Sequence, residues 1–231
     1  MSASLGLWWL PITVVIYLVA DVLQQKLGWL ILQPMLTSVL VLATLVAWHG
    51  QDSAAYRQAT APLVWVAGPL TVGMAIPLFR ERALILEQWR PLMLTLLLGS
   101  FLASSCAFAL ACLWQLPHPV AKAFLTRAIS LPFCLPVAHL LGAPAGLAAV
   151  IVGISGVFGG IAAPMLLSHL YSDAARGVAM GLAAHGIGTA VALRLSLRTG
   201  AHAALAMMLN GVITSLWLPW LWRHAAYLVG F

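Results

Sequence analysis

One apolar run follows another along this chain, and few charges separate them. Of 231 residues, 63% are hydrophobic and 7% charged, against about 25% charged in a water-soluble domain. Eleven basic and five acidic side chains cannot clothe a chain of this length in water, so lipid must be the solvent for most of its surface. Each helical span needs roughly 20 apolar residues, which allows about seven or eight spans. The fold expected is therefore all-α: a polytopic transmembrane helical bundle with broken or re-entrant helices. It forms a single integral membrane domain over residues 1–231, with two structural halves at about 1–120 and 121–231.

The apolar runs cover residues 7–23, 29–48, 63–79, 91–113, 124–141, 145–167, 175–195 and 201–222. No run alternates with period two, so a barrel is not indicated. Pro132 and Pro136 interrupt the fifth run, which reads as a broken helix or a re-entrant pair. The ten tryptophans sit mostly near run ends, as an interfacial belt would. No Lys or Arg precedes the first run, so it reads as a retained span rather than a secretory signal. Arg80, Arg82 and Arg90 form the densest basic cluster; placed in the cytoplasm, they put the N-terminus outside. If all eight runs cross, Lys26, Arg194 and Arg198 fall inside as well. Arg57, Lys122, Arg127, Arg176 and Arg223 then fall outside.

Several function classes are disfavoured. The net charge of +6 is scattered, without the basic stripe that nucleic acid requires. Cys106, Cys112 and Cys134 lie in apolar sequence without zinc spacing, so no metal or cofactor is expected. No HExxH, GxSxG or P-loop is present, and Gly153-Ile-Ser-Gly156 is one residue short of a nucleophile elbow, so the chain is not read as an enzyme. Asp21, Asp52, Glu81, Glu87 and Asp173 all lie at run ends or in loops. Cation pathways and proton relays use carboxylates within spans, so this inventory suits a small anion, and any proton coupling would fall to His185.

Irregular backbone within a bilayer is tolerated only where protein or a water-filled cavity covers it. Two stretches should be irregular: residues 68–77, with Pro69, Thr71 and Pro77, and residues 127–136, with Arg127, Ser130, Pro132 and Pro136. Paired interruptions in two parts of a chain point to a transporter site, although single proline kinks are common in membrane helices. The most unusual segment places His185 among Gly186, Gly188 and Thr189. An ionisable residue at membrane depth is expensive and marks a functional site, and a helix beginning there would offer backbone donors to an anion. A neutral histidine bonded between helices is the plainer alternative. Asn210, inside the last run, reads first as interhelical glue. The spacings Gly156–Gly160 and Gly177–Gly181 are GxxxG motifs for close helix packing.

These residues resemble a known family. Ala175-Arg-Gly177, Gly181, His185-Gly-Ile-Gly-Thr-Ala190, Leu205-Ala-Met207 and Leu209-Asn-Gly211 match the LrgB/CidB membrane proteins in order and spacing, as do Gly68-Pro69, Thr71-Val72 and Pro77-Leu-Phe79. Relatives of that family include the C-terminal half of the plant plastidic glycolate/glycerate translocator. Pro34 fits the family's Asn-Pro position, with Gln33 for Asn. The family's Pro-Lys-Ser-Val-Thr-Thr-Pro element reads here Thr126-Arg-Ala-Ile-Ser-Leu-Pro132, and the glutamates usual after the His-Gly-Ile-Gly-Thr-Ala run are missing from residues 191–200.

The resemblance implies a multi-pass protein of the inner or plasma membrane that transports or exports small organic acids of the pyruvate, glycolate or glycerate type. A small LrgA-type membrane partner is implied beside it, and a homo-oligomer is compatible with it. The alternative it implies is a holin/antiholin-like regulator of murein hydrolase activity and autolysis. In the transport reading the bound species is a small carboxylate. Thr71, Ser130 and Thr189 donate to it, Arg127 balances its charge, backbone N–H groups near Gly186 and Gly188 bind it, and His185 and Asn210 complete the site.

Overall fold

The computed structural model describes residues 2–29, 32, 34–50, 53–73, 79 and 82–229, with side chains between residues 8 and 224 except at 67, 68, 70–73, 84 and 85. No strand occurs among the described residues. Among the described residues five helices are long and apolar enough to cross a bilayer: Trp8–Leu27, Trp89–Leu113, Ala145–Leu166, Asp173–Leu195 and Leu197–His224. Large apolar side chains such as Leu98, Leu102, Phe158 and Leu216 face outward, while Ser100, Ser104, His185 and Asn210 are buried. That inside-out distribution is what a lipid solvent selects, and the chain is a multi-pass membrane protein. It divides into two compact units, Met1–Gly73 and Met74–Phe231; the halves expected to meet near residue 120 are not these units.

In the first unit, helix α1 (Ser2–Leu27) packs on α2 (Pro34–Trp48) and α3 (Ser53–Ala59), and α4 (Ala61–Gly73) follows. Pro34 opens α2, where its missing N–H costs no helical bond. The buried Trp9 ring meets Tyr56 edge-on at 5.6 Å, and Thr13 shares a 3.0 Å hydrogen bond with the Tyr56 hydroxyl. The irregularity expected over residues 68–77 does not begin at Pro69, because α4 continues through it to Gly73. Residues 74–78, like Gln33 and Arg80, lie outside the described residues.

The second unit contains α5 (Arg82–Glu87), α6 (Trp89–Leu113), α7 (His118–Phe124), α8 (Leu131–Leu140), α9 (Ala145–Leu166), α10 (Asp173–Leu195) and α11 (Leu197–Val229). The sequence reading made α10 a crossing span, and the structure corrects this. At His185 the backbone takes φ 49°, ψ −130°, outside helical space. A side chain at Gly188 would collide with the Met180 carbonyl and the Ala184 methyl, although a straight helix puts about 12 Å of rise across eight residues. At the base of the segment, Thr199 Oγ1 donates to Asp173 Oδ1 at 2.9 Å. An unbroken helix would have carried residue 195 about 33 Å from residue 173. Residues 173–184 enter, His185 reverses the chain, and residues 186–195 return.

The remaining contacts fix two faces. Leu92 and Leu96, early in α6, join Leu205 and Ala206 of α11 and Val178 and Leu182 of α10. Ala163, late in α9, clusters with Met180, Ala192 and Ala203. These groups define the near face. At the far face, Phe108 of α6 meets Trp222 of α11 edge-on at 5.6 Å, and Lys122 of α7 lies 5.2 Å over the same ring. Ala148 and Val152, early in α9, share a core with Ala138 and Leu141 of α8 and Leu218 of α11. Both α7, which follows α6, and α8, which precedes α9, therefore open at the far face. At seven and ten residues neither α7 nor α8 can cross roughly 30 Å of hydrocarbon. The open choice for residues 124–141 thus resolves to a re-entrant pair. Its break occupies residues 125–130, while Pro132 sits in the first turn of α8 and Pro136 inside it.

The second unit thus has three crossing helices, α6, α9 and α11, and two hairpins inserted from opposite faces. This changes the charge map. Arg176, expected opposite Arg194 and Arg198, shares their near face with Arg90, and Arg127, expected outside, lies at mid-depth. Lys122 and Arg223 mark the far face against Arg90, Arg176, Arg194 and Arg198 on the near one, and by the positive-inside rule the near face is the one expected in the cytoplasm. Single-cysteine variants Tyr171→Cys and Leu197→Cys, with the native cysteines removed, are expected to react with an impermeant maleimide from the same, cytoplasmic side. Labelling from opposite sides means that α10 crosses.

Candidate functional site

The tips of the two hairpins meet halfway along the crossing helices. Arg127, half-buried in the first tip, donates from Nε to the Ala103 carbonyl of α6 at 3.3 Å and from Nη1 to Ser155 Oγ of α9 at 3.1 Å. Ala103 and Ser155 each lie near the middle of their helix. Neither partner is an acid, so these two bonds do not neutralise the guanidinium's charge. The tip is held from a third side, because Asn210 Nδ2 donates to the Ala128 carbonyl at 2.5 Å. That bond satisfies a carbonyl which hydrocarbon would otherwise leave bare, and it gives Asn210 the expected interhelical role.

Ser130 is the N-cap of α8. An N-cap serine usually turns its oxygen onto the N–H two or three residues ahead, but Pro132 has no N–H to offer. The hydroxyl makes no capping bond and is buried without a partner. The two tips are alike in polarity: α8 starts at residue 131 and the second leg of α10 at residue 186, both at mid-depth. Each presents the positive end of a helix dipole, although at α8 Pro132 has no N–H and Phe133 N already donates to the Ser130 carbonyl at 3.0 Å.

His185 makes the second tip. Its side chain is 4% exposed. Its Nδ1 lies beside Gly156, while Nε2 is buried and makes no hydrogen bond of good geometry. The backbone of Arg127 and Ala128 and the Arg127 guanidinium are nonetheless close enough to act on the ring. The neighbours expected to serve a ligand divide into distinct roles. Thr189 Oγ1 donates to the His185 carbonyl at 2.8 Å, so its proton secures the turn. Gly188 is buried where no side chain fits, against Met180, whereas Gly186 opens onto free space.

The structure therefore brings Arg127, Ser130, His185, Gly186, Gly188, Thr189 and Asn210 to the two tips or the helix that anchors them. Thr71 belongs to the first unit, and its side chain lies outside the described ones. Ser155 and the Ala103 carbonyl were not anticipated. Ser155 stands in the glycine-rich run 153–156, and its one visible signal was a hydroxyl among residues otherwise suited to close packing. Gly156 and Gly160 pack on Ile187 of the returning leg, so that GxxxG seats the second tip.

A left-handed φ is strained for any residue but glycine, and such conformations cost about 1–3 kcal/mol. In ordinary helix, alanine is more stabilising than glycine by roughly 0.5–1 kcal/mol. At His185 the order should invert: His185→Gly is expected to melt at a higher temperature than His185→Ala in detergent. A higher melting point for the alanine variant would place residue 185 in regular helix.

The LrgB-like family matches residues 13–224. An uncharacterized protein of Bacillus subtilis, YwbG, is 26% identical over 219 residues, 94% of this chain and 97% of the relative. The holin-like protein CidB of Staphylococcus aureus is 28% identical over 210 residues, covering 90% and 92%. No solved structure matches the chain.

Proposed function

The chain belongs to the LrgB-like family, and from that premise we propose that it is a secondary transporter of small organic acids of the pyruvate, glycolate or glycerate type. It works in the inner or plasma membrane beside a small LrgA-type membrane partner. The observation that carries this reading is the meeting of two oppositely inserted hairpin tips around Arg127, whose partners are a carbonyl and a hydroxyl. Half-helix N-termini at the midplane suit the carboxylate group of a substrate. Arg127 supplies the balancing charge and Ser130 Oγ a free donor, with Gly186 leaving the backbone approachable. No covalent chemistry is part of the proposal: the site binds and releases.

A second reading is favoured by the name of the Staphylococcus aureus relative, holin-like protein CidB: a holin/antiholin-like regulator of murein hydrolase activity and autolysis. Against a pore stands the tight seating of Gly177 and Gly181 on the α11 backbone, because a pore needs a polar lining held apart.

Proteoliposomes separate the two. Saturable uptake of labelled pyruvate or glycolate is expected from the wild type. Arg127→Ala and His185→Ala are each expected to abolish it in protein that remains folded. Removing a buried charged partner costs about 2–5 kcal/mol, which weakens binding about thirtyfold or more. Normal uptake by both variants ends the site assignment, and dye release without saturable uptake supports the holin-like reading.

A further inference from the structure

Helix α6 turns one buried face inward, with Leu92, Leu96, Ser100, Ser104, Ala107 and Ala111 along it. Its two serines are treated differently. Ser100 Oγ accepts from Trp217 Nε1 at 3.1 Å and donates to the Leu97 carbonyl at 3.1 Å. Ser104 is wholly buried, and its hydroxyl has no partner.

A hydroxyl inside a membrane helix ordinarily folds back onto the carbonyl one turn earlier. Thr13, Ser38, Thr44, Thr60 and Ser215 all do so in this chain, at 2.5–2.9 Å. Ser104 declines that bond although the Ser100 carbonyl is one turn away. It adjoins Ala103, the residue whose carbonyl holds Arg127 Nε. Another buried polar atom without a partner, Ser130 Oγ, belongs to the first hairpin tip.

We infer that Ser104 is a further substrate-binding residue, which bonds an oxygen on the carbon next to the substrate carboxylate. The inference rests on the transport reading and deepens it. Arg127 and the helix N-termini, all on the hairpins or their tips, serve the carboxylate. Ser104 stands on a crossing helix and is free for a second group. A serine hydroxyl both donates and accepts, so it suits a 2-oxo or a 2-hydroxy acid equally. An acid without that oxygen, such as acetate, leaves the hydroxyl buried and unpaired, and sites built around a polar partner discriminate on that basis.

The test uses full-length protein in liposomes and, in parallel, in detergent. Competition for labelled glycolate uptake and ligand-induced thermal stabilisation are each measured with glycolate and with acetate. Wild type is expected to prefer glycolate by about five- to tenfold, the value of one neutral hydrogen bond. Ser104→Ala should erase that preference by weakening glycolate alone, and Ser104→Thr should retain it. A Ser104→Ala variant that keeps the preference, or loses affinity for both acids equally, overturns the inference. Should wild type move neither acid yet be stabilised by glycolate over acetate, transport fails and the stabilisation ratio of Ser104→Ala decides the residue's role. Absence of stabilisation by either acid overturns the inference together with the reading beneath it.

Discussion

Hydrocarbon offers no hydrogen bonds, so a chain that stops and turns halfway across a membrane must have each freed backbone group met by protein. The rest of the second unit follows from that constraint. Ala128 exposes a carbonyl at the first tip, and Asn210 reaches across from α11 to meet it. At the second tip Thr189 donates to the His185 carbonyl from within the same leg. Close covering needs small residues, which explains the glycines: Gly177 and Gly181 let α10 lie against the α11 backbone, and Gly188 lets its two legs touch.

The tips leave positive character unopposed. Arg127 faces a carbonyl and a hydroxyl, two helices begin beside it, and the acids of the described second unit, Glu87 and Asp173, stand near helix ends. A fixed cation at this depth is costly, and its persistence among neutral partners is the electrostatic reason for assigning the site to an anion. The departures from the family's proline-bounded element fit the same geometry. Ala128 contributes through its backbone rather than a side chain. Thr126, which stands where the family's element has its first proline, donates to the Ala123 carbonyl at 2.9 Å and accepts from Cys134 Sγ at 3.3 Å, drawing the two legs together.

Much of this was legible in the sequence, for identifiable reasons. Composition dictated lipid as solvent. Arg127 before a proline pair marked the first interruption, and His185 between small residues marked a site without revealing the turn there, because charge and glycine in apolar runs have few other uses. The reversal of α10 was not legible. Twenty-three largely apolar residues read alike whether they cross or return, and the turn rests on a histidine at positive φ instead of the usual glycine or asparagine. The backbone angles at His185, the contact of Gly188 with Met180 and the bond between Asp173 and Thr199 distinguish the two. Ser155 and Ser104 were hidden for another reason: membrane serines commonly bond their own helix, so an unpaired one cannot be told from a paired one until coordinates exist.

The double fold-back also bears on how such proteins are mapped. Replacing two traverses by two returns changes the tally of traverses in the second unit from five to three and leaves its parity untouched. A reporter fused beyond residue 224 therefore lands in the same compartment under either arrangement and is blind to the difference. The two loops whose assignment does invert are residues 141–144 and 167–172. A map built from terminal fusions alone can agree with every measurement while placing both of them in the wrong compartment.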